Sequence, residues 1–306
     1  MKRRDFIIRT TQVSAALSLL GVNTACSIKK EELFFKISLA EWSLNKSLFS
    51  KKIDHLDFAT IAIKTGCTGL EYVNSFFFDK AKNIDYLNEM NSRATSEGIE
   101  NVLIMIDREG AMADSDKQKR WQTIENHYKW VDAAHHLGCH AIRVNLRCDG
   151  TPEESANAGI ESLIKLSEYA AQANINVLVE NHGGLSSNGD WMQSVFSQIK
   201  KENCGTLPDF GNFCIQRNKQ KECIEEYDRY KGMKQLLPFA KAVSAKSNTF
   251  LENGDEQNID YYKIMKMVKK SGYKGFIGVE YEGKQHEEIK GIELTKNLLI
   301  KAGKLA

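Results

Sequence analysis

Several apolar runs in this chain end in side chains able to hold a cation or move a proton. Val179 is followed by Glu180-Asn181-His182, Leu207 by Pro208-Asp209-Phe210-Gly211-Asn212, and Val279 by Glu280-Tyr281-Glu282. Glu71 closes another such run, Arg143 and Asn145 alternate in a fifth, and Ser244 and Lys246 stand two apart in Val243-Ser244-Ala245-Lys246. A carboxylate directly after apolar strand residues is costly to bury without a partner. Three that converge repel, and each raises the proton affinity of the others unless a cation sits among them. Glu180, Asp209 and Glu280 form an all-oxygen set, which favours Mg²⁺ or Mn²⁺ over a metal of the thiolate type.

The elements that must position these residues are legible as eight strand-like runs: Phe34–Ala40, Gly69–Val73, Asn101–Ile106, Ala141–Leu146, Ile175–Val179, Gly205–Pro208, Ala242–Ala245 and Gly275–Val279. Between them, helical periodicity predicts helices over Asp54–Lys64, Lys117–Leu137, Glu153–Ala173, Glu222–Leu237, Ile259–Lys269 and Glu287–Lys301. Thr151-Pro152 fits a helix start, and Gly66, Gly98, Gly138 and Gly272 fit helix ends. Strand then helix, eight times over, predicts an α/β fold: a single (β/α)8 TIM barrel over residues 33–303, with its chemistry at the carboxyl ends of the strands. A doubly wound open sheet competes, but no GxGxxG follows the first strand.

Composition narrows the class without naming it. The 306 residues carry 42 Lys+Arg against 40 Asp+Glu, a formal charge of +2, which is no footprint of a nucleic-acid binder. Seven cysteines without a close CxxC pair predict neither a disulfide framework nor a Cys-based zinc site. Residues 1–26 have the form of an export leader: Lys2, Arg3, Arg4 and Arg9, then a largely apolar Val13–Ala25, then Cys26. Arg3-Arg4-Asp5-Phe6-Ile7 is similar to a twin-arginine signal, and Cys26 after small residues is similar to a lipoprotein cleavage site. The expectation is an exported protein, periplasmic or anchored to the membrane through a lipid on Cys26.

Val-Glu-Asn-His, Pro-Asp-Phe-Gly-Asn, Ser-Ala-Lys-Ser and Gly-Val-Glu-Tyr-Glu occur in that order, with Glu180, Asp209, Ser244 and Glu280 separated by 29, 35 and 36 positions. On these motifs the chain, from roughly Phe34 to Lys301, resembles the xylose-isomerase-like TIM-barrel family, the sugar phosphate isomerases/epimerases. The resemblance implies a divalent metal, Mn or Mg, held by Glu180, Asp209 and Glu280. The family's histidine ligand falls at Ser244, a poor substitute for imidazole. His182 is the nearest other donor in sequence, and Lys246, on the same strand face as Ser244, is an alternative source of positive charge. The implied reaction is isomerisation or epimerisation of a keto sugar through an enediolate, with Glu180 and Glu280 as the two proton-transfer groups and Lys246 or the metal stabilising the charge.

The remaining site residues are expected to bind substrate: His182, Asn145, Glu71, Asn212, Trp42 and Arg143, with Glu71 pairing with Arg143 in the blander reading. Asn145 and Asn212 offer what sugar hydroxyls require, and Trp42 a surface for a sugar face. Arg108 reads as a surface residue. A lyase or hydratase on a 3-keto sugar or glycoside needs almost the same groups, and a non-catalytic exported sugar-binding module would need fewer. The related AP endonucleases are set aside, since only His182 stands at a strand end where they use several histidines. With export expected and no Gly-rich phosphate cradle, the partner is a free or glycosidically linked carbohydrate. No oligomeric state follows.

Overall fold

Period-two alternation inside the strand runs sends one set of side chains inward and the other toward the helices. In the computed structural model, residues 32–306 are described. Eight strands form one parallel sheet: β1 (Lys36–Ala40), β2 (Gly69–Val73), β3 (Glu100–Met105), β4 (Ala141–Val144), β5 (Asn176–Glu180), β6 (Cys204–Leu207), and, after a two-stranded hairpin β7 (Cys214–Arg217) and β8 (Cys223–Glu226), β9 (Val243–Ser247) and β10 (Phe276–Tyr281). The strand order is β6-β5-β4-β3-β2-β1-β10-β9. Ile37, Leu39, Leu70, Tyr72, Ile142, Val144, Val177, Val179, Val243, Ala245, Ile277 and Val279 belong to the large core between sheet and helices. Ala40, Val73, Leu103, Met105, Ala141, Leu178, Leu207 and Ala242 form a second, smaller cluster on the inner face.

The sheet is curled, and its ladder pairing stops at two edges, β6 and β9. Between those edges run two isolated parallel bridges, Thr206 to Ala240 and Asp209 to Ser244. Three backbone hydrogen bonds accompany them: Lys241 N–H to the Thr206 carbonyl (3.0 Å), Ser244 N–H to the Pro208 carbonyl (2.9 Å) and Phe210 N–H to the Ser244 carbonyl (3.0 Å). The seam therefore carries two of the residues picked out for chemistry.

Helices stand close to the expected places at Phe58–Lys64, Lys117–Leu137, Pro152–Gln172, Arg229–Leu236, Tyr261–Lys270 and Glu288–Lys304, and two that were not expected stand at Ile84–Glu97 and Gly189–Gln198. Thr151 forms a full capping box with Glu154. Gly98 and Gly138 end their helices with φ of 64° and 74°, a region where a Cβ is unfavourable. The helix expected over Glu222–Leu237 begins only at Arg229, because Cys223–Glu226 pairs as a strand with Cys214–Arg217. The cysteines, expected to form no disulfide framework, provide one bridge at the same place. Cys214 and Cys223, nine positions apart, are joined across that hairpin with Cα atoms 5.8 Å apart. Spacing alone hides this pair, since it becomes close only once the hairpin forms.

Among the described residues no helix is long and apolar enough to cross a membrane. That finding counts against a membrane-anchored form, and that part of the expectation is withdrawn. The twin-arginine signal, the lipid on Cys26 and the leader 1–26 all lie outside the described residues.

On the inner face, Gly69, Ser38, Gly278 and Ser244 lie in register across β2, β1, β10 and β9. Such a ring of small residues leaves room for the side chain of Glu71, which is fully buried and accepts a 2.5 Å hydrogen bond from Ser38 Oγ. A Cβ at Gly278 would overlap the Glu71 carboxylate. Gly278→Ala is accordingly expected to cost about 1–3 kcal/mol through overpacking, read as a lower urea midpoint, with Glu71→Ala in the same chain recovering part of the loss.

Candidate active site

The polar residues of the inner face continue the alternation past the apolar layers: Glu71 on β2, Asp107 after β3, Arg143 and Asn145 on and after β4, Glu180 on β5, Asp209 after β6, Ser244 and Lys246 on β9, and Glu280 on β10. Each sits two positions beyond an inner-face residue, so a parallel sheet delivers them to one end.

Glu180, Asp209 and Glu280 each present a carboxylate oxygen within 4.8 Å of the others, and all three are buried. Lys246 Nζ lies among them, 3.1 Å from Glu280 Oε1, 3.1 Å from Glu282 Oε1 and 3.7 Å from Asp209 Oδ2. Ser244 Oγ donates to the second oxygen of Glu280 at 2.7 Å. Opposite, Arg143 Nε is 3.0 Å from Glu180 Oε2, and its Nη1 donates to Asp107 Oδ1 at 3.0 Å. Asn212 Nδ2 donates to the other Glu180 oxygen (2.9 Å), and Asn145 Nδ2 to Asp107 (2.7 Å). Both oxygens of each glutamate are thus held.

The turn after β6 is built to hold Asp209. Gly211 N–H and Asn212 N–H both donate to Asp209 Oδ1, at 2.7 and 2.8 Å, and Asn181 takes up the Asp209 backbone through its N–H and its carbonyl. Gly211 also permits Lys246 to pass, since a Cβ there would stand 2.8 Å from Lys246 Cγ. Tyr261 Oη donates to the Lys246 carbonyl (2.8 Å) and fixes the end of β9.

Burial and charge then separate the acids. Burial pushes the Glu71 carboxyl up to about 8, with Ser38 opposing. Burial likewise lifts Asp209 to about 8, with Lys246 opposing and Glu280 and Glu180 adding. Glu180 rises to about 7, by burial against the pull of Arg143. Burial would raise Glu280 too, but Lys246 and the Ser244 hydroxyl outweigh it and hold that carboxyl below the usual range. Burial would weaken Lys246 as a cation, yet Glu280, Glu282 and Asp209 hold its ammonium well above the ordinary value.

The acid trio fits a hard divalent cation. Asp209 Oδ2 is buried with no hydrogen-bond partner, and the donor set is carboxylate oxygen throughout. The fourth position is not prepared in the same way, because the Ser244 hydroxyl is committed to Glu280.

A cavity of about 460 Å³ opens above these groups, lined by Trp42, Phe49, Ser75, Asp107, Arg108, Arg143, Arg147, His182, Glu280 and Glu282. Its size is that of a small-molecule site. Of the expected residues, Glu180, Glu280, Lys246, Asp209, Ser244, Arg143 and Asn212 are in mutual contact, and Trp42 and His182 stand on the wall. Two expectations are corrected. Glu71 does not pair with Arg143: it lies mid-strand, a layer below, while Arg143 is taken by Asp107 and Glu180. His182 is exposed at the mouth and is not in the acid cluster. Arg108 is exposed, as expected of a surface residue, and also lines the cavity. Asp107 and Glu282 were not singled out, although the signal was available: each continues the same two-residue step, beyond Met105 and beyond Glu280.

Comparison with known proteins follows the same lines. A family model described as a xylose isomerase-like TIM barrel matches residues 59–299. Among curated proteins there is no significant sequence match. Several solved structures share the fold. A 3-keto-D-glucoside 4-epimerase from E. coli is 12% identical, with a TM-score of 0.65 over 88% of this chain and 100% of the other. A D-tagatose 3-epimerase-like protein is 18% identical, with a TM-score of 0.67 over 88% and 99%. A xylose isomerase-like TIM barrel protein from Mycobacterium smegmatis, in complex with magnesium, is 15% identical, with a TM-score of 0.61 over 81% and 88%.

Two outcomes are expected of this charge cluster. Lys246→Met should destabilise the fold by about 3–5 kcal/mol, because it leaves buried carboxylates unpaired, and adding Glu280→Gln should recover part of that in a chemical denaturation series. Glu71 binds its proton more tightly folded than unfolded, so its contribution to stability is present below the ordinary glutamate range and is lost as pH rises through about 8. In chelator, the urea midpoint should fall between pH 5 and pH 8, and Glu71→Gln should flatten that fall.

Proposed function

Because the chain belongs to the xylose isomerase-like TIM barrel family, we propose that it is a sugar isomerase or epimerase acting on a keto sugar by proton transfer through an enediolate. In this reading the curled sheet works as a closed (β/α)8 barrel, completed at the β6–β9 seam, with the reaction at its carboxyl-end mouth. The observation that carries the reading is the contrast between two buried glutamates facing one another across the mouth. Glu280 is held ionised by Lys246 and Ser244, and Glu180 is lifted into the neutral range. A pair of carboxyls driven apart in proton affinity is suited to act as base and acid in the same turnover.

Glu280 then removes the proton α to the carbonyl, and Glu180, whose carboxyl is lifted to about 7, returns one from the other side. Arg143 and Lys246 are the fixed cations beside the charge that develops on the enediolate oxygens, inside a site where such charge is weakly screened. Glu180, Asp209 and Glu280 are the residues that would hold Mg²⁺ or Mn²⁺, which when bound supplies Lewis-acid polarisation of the substrate carbonyl and its neighbouring hydroxyl. Asn212 and Asn145 keep Glu180 and Asp107 in place. Asp107, Arg143 and His182 offer hydrogen bonds to sugar hydroxyls, and Trp42 offers a face for the ring. The solved structures of like fold include epimerases of keto sugars, and one in complex with magnesium.

The test is NMR of a keto-sugar panel in D₂O with and without Mn²⁺. Wild-type protein is expected to exchange the α proton for deuterium and to form the epimer or isomer. Glu180→Gln and Glu280→Gln should each lower exchange by at least about a hundredfold, the low end for loss of a general acid or base. Exchange at the wild-type rate in both variants overturns the two-glutamate assignment. Asp209→Asn should weaken Mn²⁺ binding measured directly by calorimetry.

A further inference from the structure

The aromatic wall of the cavity above the acids has a second cavity beside it. Phe49 and Ser75, which line the first, also line the second, of about 520 Å³, whose other walls include Ile53, His55, Phe76 and Tyr86. Phe49 and Ser75 are thus a wall common to both cavities, carried by the segments that follow β1 and β2. Phe49 stands at the junction with 56% of its surface exposed, unusual for a phenyl ring held in an aromatic cluster. Its ring centroid is 6.0 Å from that of Trp42 and 5.0 Å from that of Phe76. Aromatic rings thus run from the acid site into the second cavity.

The second cavity is also polar where a sugar would need it. Lys51, Asp54 and Ser75 stand on its rim beside the rings. His55 lines it, is buried, and has an Nε2 with no hydrogen-bond partner. The other ring nitrogen of His55 is 2.6 Å from Glu41 Oε1, and Glu41 Oε2 accepts from Val73 N–H at 2.8 Å, so the imidazole is fixed from behind. Rings for the apolar face of a pyranose, with donors and acceptors at the edge for its hydroxyls, are the chemistry of a carbohydrate subsite.

We propose that this second cavity is a second sugar subsite, and that the substrate is a glycoside whose keto ring sits over the acids while its glycosidically linked neighbour ring crosses the exposed Phe49 and lies on Phe76 and Tyr86. The proposal rests on the keto-sugar reading above for the identity of the first ring. It does not rest on it for the second ring, which binds without reacting. The second cavity is lined only by residues that follow β1 and β2, away from the seam, so one ring can be held while the other reacts.

The test compares a keto-disaccharide with the same keto ring as a free monosaccharide, by deuterium exchange. Wild-type kcat/KM is expected to be at least about tenfold higher for the disaccharide, mostly through KM. Ile53→Trp, which fills the second cavity, and Lys51→Gly, which strips a rim group at a position whose φ of 58° suits glycine, should each remove most of that preference. Exchange of the monosaccharide should stay within about twofold. Equal kcat/KM for the two sugars in the wild type, or a preference that survives both variants, overturns the proposal. If neither sugar exchanges, the enzyme reading fails by itself, and calorimetry with cellobiose and glucose decides the subsite. Tighter cellobiose binding that Ile53→Trp abolishes supports it, and equal or absent binding of the two sugars overturns it.

Discussion

Everything at the carboxyl end of this sheet depends on one buried ammonium. Lys246 is 2% exposed and has three carboxylates within 4.0 Å. Without it Glu280 and Asp209 would face one another unscreened, and burial would protonate both. With it, Glu280 is an anion, and the contrast with Glu180 exists. The surroundings of Lys246 read as devices for keeping it there. Gly211 leaves space for its stem, Tyr261 ties down its backbone, and Ser244, one inner-face step before it, binds the glutamate it neutralises. Arg143 plays the matching part for Glu180 and Asp107. Two cations among five acids, Asp107, Glu180, Asp209, Glu280 and Glu282, leave room for further positive charge, which is consistent with a divalent ion at the trio.

The layers below explain how such a cluster is tolerated. Polar inner-face residues do not begin at the mouth. Glu71 is already inside the sheet, in a space that Gly69, Ser38, Gly278 and Ser244 leave by being small. A neutral, hydrogen-bonded carboxyl there is far cheaper than an ion, and its high proton affinity is the physical expression of that choice. Above it the charges pair, and above them water and substrate have access. The order from apolar layer to neutral acid to paired ions to open cleft grades the cost of burial along the sheet axis.

Much of this was legible in the sequence, for a specific reason. Alternation writes inner and outer faces directly into a strand, so Glu180, Asp209, Ser244, Lys246 and Glu280 could be assigned to one end before any coordinates. Helix punctuation was equally local: Gly98 and Gly138 stop helices because of their own φ, and Thr151 starts one with its own hydroxyl. What failed depended on pairing across the chain. Cys214 and Cys223 meet only because residues 214–226 form a hairpin, and Cys223–Glu226 carries a helical pattern that this pairing overrides. The partner of Arg143 was misjudged because Glu71 and Arg143 are both inner-face residues, and only the strand register shows that Glu71 is a layer deeper. Asp107 was missed because it lies past the apolar run of β3, although it is the next inner-face step.

The seam between β6 and β9 has a consequence of its own. The sheet is stitched there by isolated bridges instead of a ladder, and one of those bridges joins Asp209 to Ser244. Glu180 and Asp209 approach the cluster from one lip of the seam, and Lys246 and Glu280 from the other. Any group bound by both lips would add a tie across that seam, and by mass action its binding would stabilise the folded sheet.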